Sequence, residues 1–202
     1  MSHRERFLVL LFIGIAVVLC YACGDALPPG NRVFAIQPLG EFSPIQAEKL
    51  FDQLKHINTK IQLKKSIPLP ASTYYPGRNR YRADGIINYL GRNGSTDTVY
   101  VGITSKDISV TKGNIPDWGV MGLGFQPGNA CAVSTFRLNK DNLSAQLYKI
   151  ILHELGHTQG LPHCKNKTCL MRDAEGGNHL EEETGFCETC KSFLKSKGWN
   201  LE

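Results

Sequence analysis

The chain has 202 residues, of which 42% are hydrophobic and 20% charged, and its formal net charge is +5. That length suits one domain with a real core rather than two, and the apolar content excludes a globally disordered chain. The positive excess is mild and interleaved with acid, as where Glu181, Glu182 and Glu183 stand near Lys191 and Lys195, so no nucleic-acid footprint is evident and no nucleic-acid partner is expected.

Arg4 and Arg6 precede an apolar run, Phe7 to Ala22, and the polar, Pro-rich GDALPPG follows. This is the three-part layout of a secretory signal. Residues 1–23 are therefore expected to be a signal, lipoprotein-type or anchor segment, residues 24–30 a linker, and residues 31–202 one folded domain. The run is short for a membrane-spanning helix of about 20 residues, although it could serve as an uncleaved anchor. Cys23 after Ala22 also resembles a loose bacterial lipobox, in which that cysteine carries lipid, while Cys20 and Tyr21 depart from it. The expected location is outside the cytoplasm, with the membrane touched only through this segment.

Arg32 to Leu39 reads as a strand, and Ser43 followed by Pro44 caps and opens a helix whose buried face is Ala47, Leu50, Phe51 and Leu54. A second strand is expected over Ile61 to Leu69, then a short helix from Tyr81 to Leu90 closed by Gly91. Thr96 to Ser105 and Cys131 to Leu138 have the β-branched and aromatic content of central strands. Between them, the glycines of Trp118 to Asn129 suit an edge strand or a loop. Asn142 or Ser144 can cap the next helix, about 144–159, with Leu147, Ile150, Ile151 and Leu155 on its buried side. Strands alternating with helices predict an α/β (α+β) fold, a mixed twisted sheet with a small C-terminal tail.

The last of those helices carries HELGHTQGLPHC, residues 153–164. His153 and His157, four residues apart, lie one turn apart on one helix face and can share a metal ion. Catalytic zinc takes three protein ligands and keeps a position for water, so a third ligand must come from elsewhere. Gly160 can take the left-handed conformation that reverses the chain and swings His163 back to the metal. Glu154 lies about 100° round the helix from His153, beside the metal, where a general base for a zinc-activated water belongs. HExxH alone would arise by chance in about one per cent of chains this long, and requiring Gly160 and His163 lowers that by roughly a further factor of several hundred. Peptide or amide hydrolysis is the reaction that suits this set.

HExxHxxGxxH has the form of the metzincin zinc peptidases. His163 is followed by Cys164, Cys169, Met171 and the pair Cys187 and Cys190, and this arrangement is similar to that of the archaemetzincins. Upstream, PLPASTYYPGRNRY, VGITSKDI and AVSTFRL also look like stretches of that family, so the resemblance covers most of the chain after about residue 31. It implies a metzincin-like peptidase fold acting on peptides or proteins, with His153, His157 and His163 as ligands of a catalytic zinc, Glu154 as general base, and Met171 in a turn beneath the metal; the chain is expected to be a monomer. The tyrosine that some metzincins place two residues after that methionine is absent, since Asp173 is there.

Cys164, Cys169, Cys187 and Cys190 have the spacing of a structural zinc site, and the resemblance agrees, giving two zinc ions per chain. Two disulfides are the alternative for an exported protein. Because His163 and Cys164 are adjacent, ligation of separate metals by the two would make the structural site a support for the third catalytic ligand. Trp118 to Gln126 is the candidate edge for an added substrate strand, with Gly122 and Gly124 leaving room for a second backbone. The competing function is a non-catalytic, zinc-stabilised binding protein anchored at the surface, which has no need of Glu154.

Overall fold

A computed structural model describes residues 32–92 and 97–202; the signal or anchor segment with Cys20 and Cys23, and the linker after it, lie outside the described residues. Strand β1 (Val33–Leu39) begins a sheet continued by β2 (Ile61–Leu63), β5 (Thr98–Thr104), β8 (Gly122–Gly124) and β9 (Ala130–Ser134) in the order β2-β1-β5-β9-β8. All neighbours in it are parallel except β8, which runs antiparallel to β9. A second sheet has the order β3-β4-β6-β7, from β3 (Tyr74–Tyr75), β4 (Arg80–Arg82), β6 (Ile108–Lys112) and β7 (Ile115–Val120).

The period-two alternation of the parallel strands sends side chains to two separate cores. Phe34, Ile36, Val99, Val101, Ile103 and Val133 face helices α1 (Pro44–Leu54) and α3 (Leu143–Gln159), where Leu50, Leu54, Ile151 and Leu155 meet them. On the other face Tyr100, Ala130 and Ala132 meet Ile86, Ile87 and Leu90 of α2 (Ala83–Arg92). Gly102 is bare because α2 comes so close: a Cβ there would sit 2.7 Å from the Leu90 side chain. Ser43 caps α1 as its sequence suggests, accepting from the Gln46 N–H at 3.4 Å.

Four expectations change in detail. The strand expected over 61–69 keeps regular pairing only through Leu63, because Pro38 of β1 has no N–H to donate, and the chain beyond is held through Ile67 to Pro38 and Gly40. The helix expected from Tyr81 starts two residues later, since Tyr81 and Arg82 pair with Ile108 and Ser109 in the second sheet. Nor does Gly91 close that helix; it lies inside, where a Cβ would meet Asn129 Oδ1 at 2.7 Å. The strand expected over 131–138 is Ala130–Ser134. The β6–β7 hairpin and helix α4 (Glu188–Ser196) were not anticipated from pattern.

Helix α3 carries the site and is buried on nearly every side, from Gln146 to Thr158. It is wedged between the main sheet and the Cys-rich tail. Asn142 stands at its N-cap, but the side-chain amide is given to Glu181 at 3.1 Å instead of capping the helix. No described helix is long and apolar enough to cross a membrane.

Candidate active site

Gly160 ends α3 in the left-handed region at φ +106°, and the chain turns back as its position predicts. One ligand atom from each of His153, His157 and His163 then lies within 4.8 Å of the others. The Nδ1–H of His153 donates to the Leu170 carbonyl at 2.6 Å, and that of His157 to the Leu161 carbonyl at 2.8 Å. His163 Nδ1 faces Asp173 Oδ2 at 3.5 Å, and Asp173 stands at the sequence position where some metzincins carry a tyrosine. Burial first, and then the neighbouring imidazoles, push His153 down to about 3, so it is neutral at physiological pH.

Those bonds test whether zinc fits. With Nδ1 protonated and committed, each of the two buried rings presents an Nε2 lone pair, and the two Nε2 atoms are 3.0 Å apart. Two acceptors at that distance repel unless a cation lies between them. Nitrogen ligands at about 2.0 to 2.1 Å around a tetrahedral ion stand about 3.3 Å from each other, close to what is found.

Glu154 is 5% exposed, and burial raises its carboxyl to about 8, opposed by a hydrogen bond from the Gly124 backbone. Its carboxylate lies against β8: a Cβ on Gly122 would be 2.4 Å from Oε1, and one on Gly124 would be 2.6 Å from the Glu154 carbonyl. This corrects the reason expected for the glycines. Their bare face makes room for Glu154 and α3, not for a substrate backbone, while β8 itself is the sheet's terminal strand as anticipated. Met171, fully buried, places its sulfur under Gly156, between the two helical histidines, where a Cβ would be 2.5 Å away.

The four cysteines also meet, with every Sγ within 4.8 Å of the rest and no disulfide among them. Cys164 Sγ and Cys187 Sγ are 3.8 Å apart, the edge of a tetrahedron with metal–sulfur bonds of about 2.3 Å. Backbone N–H groups of Asn166, Met171 and Cys187 point at the sulfurs of Cys164 and Cys169 at 3.3 to 3.5 Å. The Cys190 backbone N–H, at the start of α4, pulls Cys187 down to about 7. This donor set fits a closed thiolate site. Cys131 stands apart, buried in the main core.

A cleft of about 550 Å³ opens over the histidines and Glu154. Its upper wall is β7 and β8 with Arg137, its lower wall the loop from Arg172 to Glu183. Arg137, Asp173 and Glu183 were not picked out as functional residues by sequence reasoning. For Arg137 and Asp107 the only signal was their place in the family-like stretches.

Similarities to known proteins bear on this geometry. An archaemetzincin from Haloarcula marismortui is 29% identical over 170 residues, spanning 77% of this chain and 95% of its own length. One from Methanopyrus kandleri is 31% identical over 137 residues, spanning 65% and 75%. The crystal structure of an archaemetzincin from Archaeoglobus fulgidus, complexed with malonate, superposes with a TM-score of 0.67 at 28% identity, covering 79% of this chain and 98% of that one. The model of Peptidase family M54 matches residues 80–196, from β4 through α4 and across both clusters. The chain belongs to that family, the archaemetzincins, and is a zinc metallopeptidase.

Proposed function

We propose that His153, His157 and His163 hold a catalytic zinc ion, that Cys164, Cys169, Cys187 and Cys190 hold a second, structural one, and that Glu154 is the general base in peptide-bond hydrolysis. The pair of Nε2 acceptors 3.0 Å apart, each fixed by a bond on the far side of its ring, carries the reading. A zinc ion bound there supplies Lewis acidity toward a water molecule and the scissile carbonyl. Glu154 takes the water's proton on a carboxylate oxygen and returns it to the leaving nitrogen. Burial against β8 raises its affinity for a proton, and a zinc cation bound beside it would draw that affinity back down, leaving the carboxylate form available to accept one.

The substrate is an extended peptide added along the outer edge of β8, which among the described residues faces no further strand of that sheet. Metal analysis tests the ligand set. Two zinc ions per chain are expected in the wild type, and replacing His153 and His157 together by Ala should remove the catalytic one and all cleavage. Peptide cleavage surviving that double replacement would overturn the reading.

A further inference from the structure

The upstream stretches GRNRY, VGITSKDI and AVSTFRL meet in space, although none of them contributes a histidine or cysteine of the two clusters. They supply Arg80, Asp107 and Arg137. Arg137 grips both oxygens of Asp107, Nε to Oδ1 at 2.8 Å and Nη2 to Oδ2 at 2.9 Å. Arg80 shares Asp107 through Nε at 2.7 Å and binds Asp117 through Nη1 at 2.9 Å, with Arg78 Nε 3.7 Å from the same Asp117 oxygen. Three guanidinium groups thus divide two carboxylates, leaving one positive charge in excess.

Arg80, Asp107 and Asp117 are nearly buried, whereas the Arg137 side chain is 32% exposed and lines the cleft with Glu154 and the histidines. Its guanidinium is pinned across Gly119 of β7, where a Cβ would lie 2.0 Å from Nη2. The side-on grip of Asp107 uses Nε–H and one hydrogen of Nη2. Both hydrogens of Nη1 and the second of Nη2 remain, and the second of Nη2 with one of Nη1 forms the end-on fork that matches a carboxylate. Among the described residues nothing accepts from Nη1. The other cleft cations are engaged elsewhere, Arg172 with Glu182 at 2.6 Å and Lys112 over the Trp118 ring at 5.0 Å.

We propose that Arg137 is a specificity-determining residue whose free fork binds a carboxylate of the peptide substrate. That carboxylate is an Asp or Glu side chain near the cut bond or the free C-terminus of the peptide. The position is preorganised, since Asp107 and Gly119 fix the guanidinium before substrate arrives, so little freedom is lost on binding. The inference rests on the peptidase reading of the cleft.

The test uses two matched pairs of cleaved peptides, Glu against Gln beside the scissile bond and free acid against amide at the C-terminus. In the wild-type zinc enzyme the carboxylate member of one pair should have a kcat/KM at least about tenfold higher, chiefly through KM. Arg137→Gln should bring that ratio near one, with Arg137→Lys between, because lysine keeps the charge but not the fork. A merely structural role would lower both members of a pair alike and leave the ratio standing. Dissociation constants of the same peptides on zinc-loaded Glu154→Gln protein give the ratio without turnover, so a failure of hydrolysis is distinguished from a failure of recognition. Wild-type ratios near one in both pairs, or a ratio that survives Arg137→Gln, would overturn the proposal.

Discussion

The Nδ1 hydrogen of His153 is bound by the carbonyl of Leu170 at 2.6 Å, and Leu170 lies between Cys169 of the thiol cluster and Met171. At the other end of the same segment Cys164 follows His163, and the Cys164 N–H closes onto the Met171 carbonyl at 2.7 Å. Two of the three histidines are therefore held by chain that the cysteines anchor. The Cys187→Ser protein should lose the structural zinc and bind the catalytic one about 10- to 100-fold more weakly, the usual cost of losing a ligand's supporting bonds. Metal analysis after dialysis should find well below one zinc per chain. A full catalytic zinc in that variant would show the two sites to be independent.

Gly122 sets the position of Glu154. A methyl group there would stand 2.4 Å from Oε1 and must displace the carboxylate. Gly122→Ala should lower kcat by roughly 10²-fold, within the range that general-base catalysis contributes, while KM changes little. A rise in KM with kcat preserved would instead mean that the glycine serves peptide docking.

Glu183 is 4% exposed, and one of its oxygens, Oε2, is buried without a hydrogen-bond partner. Desolvation raises its carboxyl to about 7 despite the attraction of Lys149. Between its unfolded value of about 4.3 and that figure the folded chain holds a proton that the unfolded chain has released, so this group lowers stability as pH rises through the window. Glu183→Gln should gain on the wild type in urea midpoint between pH 4.5 and pH 7.5, with no further gain above. A constant difference across that range would show that the carboxylate is not desolvated.

Asp107 is the shared anchor of Arg80 and Arg137, with 8% of its side chain exposed. Asp107→Asn leaves Arg78, Arg80 and Arg137 with Asp117 as the one remaining carboxylate of the network, and should cost about 3 kcal/mol of stability. Chemical denaturation of the zinc-loaded protein checks it, and a loss under about 1 kcal/mol would place the pair among surface ion pairs of little energetic weight.

The local sequence around the histidines was enough to bring them together because the spacing that does so is short-range. A four-residue helical spacing, a left-handed glycine and a six-residue return gather His153, His157 and His163, while Leu170 and Asp173 farther along orient the rings. The same holds for Ser43 at the start of α1 and for the apolar alternation of β1, β5 and β9. What could not be read locally depends on distant partners. Gly122 looks like an open edge until Glu154, 32 positions on, is seen to fill the space. The start of α2 moves because Tyr81 finds a strand partner in Ile108, and the Arg80–Asp107–Arg137 network joins stretches about 30 residues apart. Charges that pair across such distances leave no periodic trace.

In the proposed reaction Glu154 moves the proton at a zinc site built by the three histidines. A peptide-library digest by the wild type and by Glu154→Ala, with zinc content measured in the same samples, addresses it most directly. Defined cleavage products are expected from the wild type, none from the variant, and two zinc ions per chain in both. Products of the same kind and yield from the zinc-loaded variant would contradict that role for Glu154.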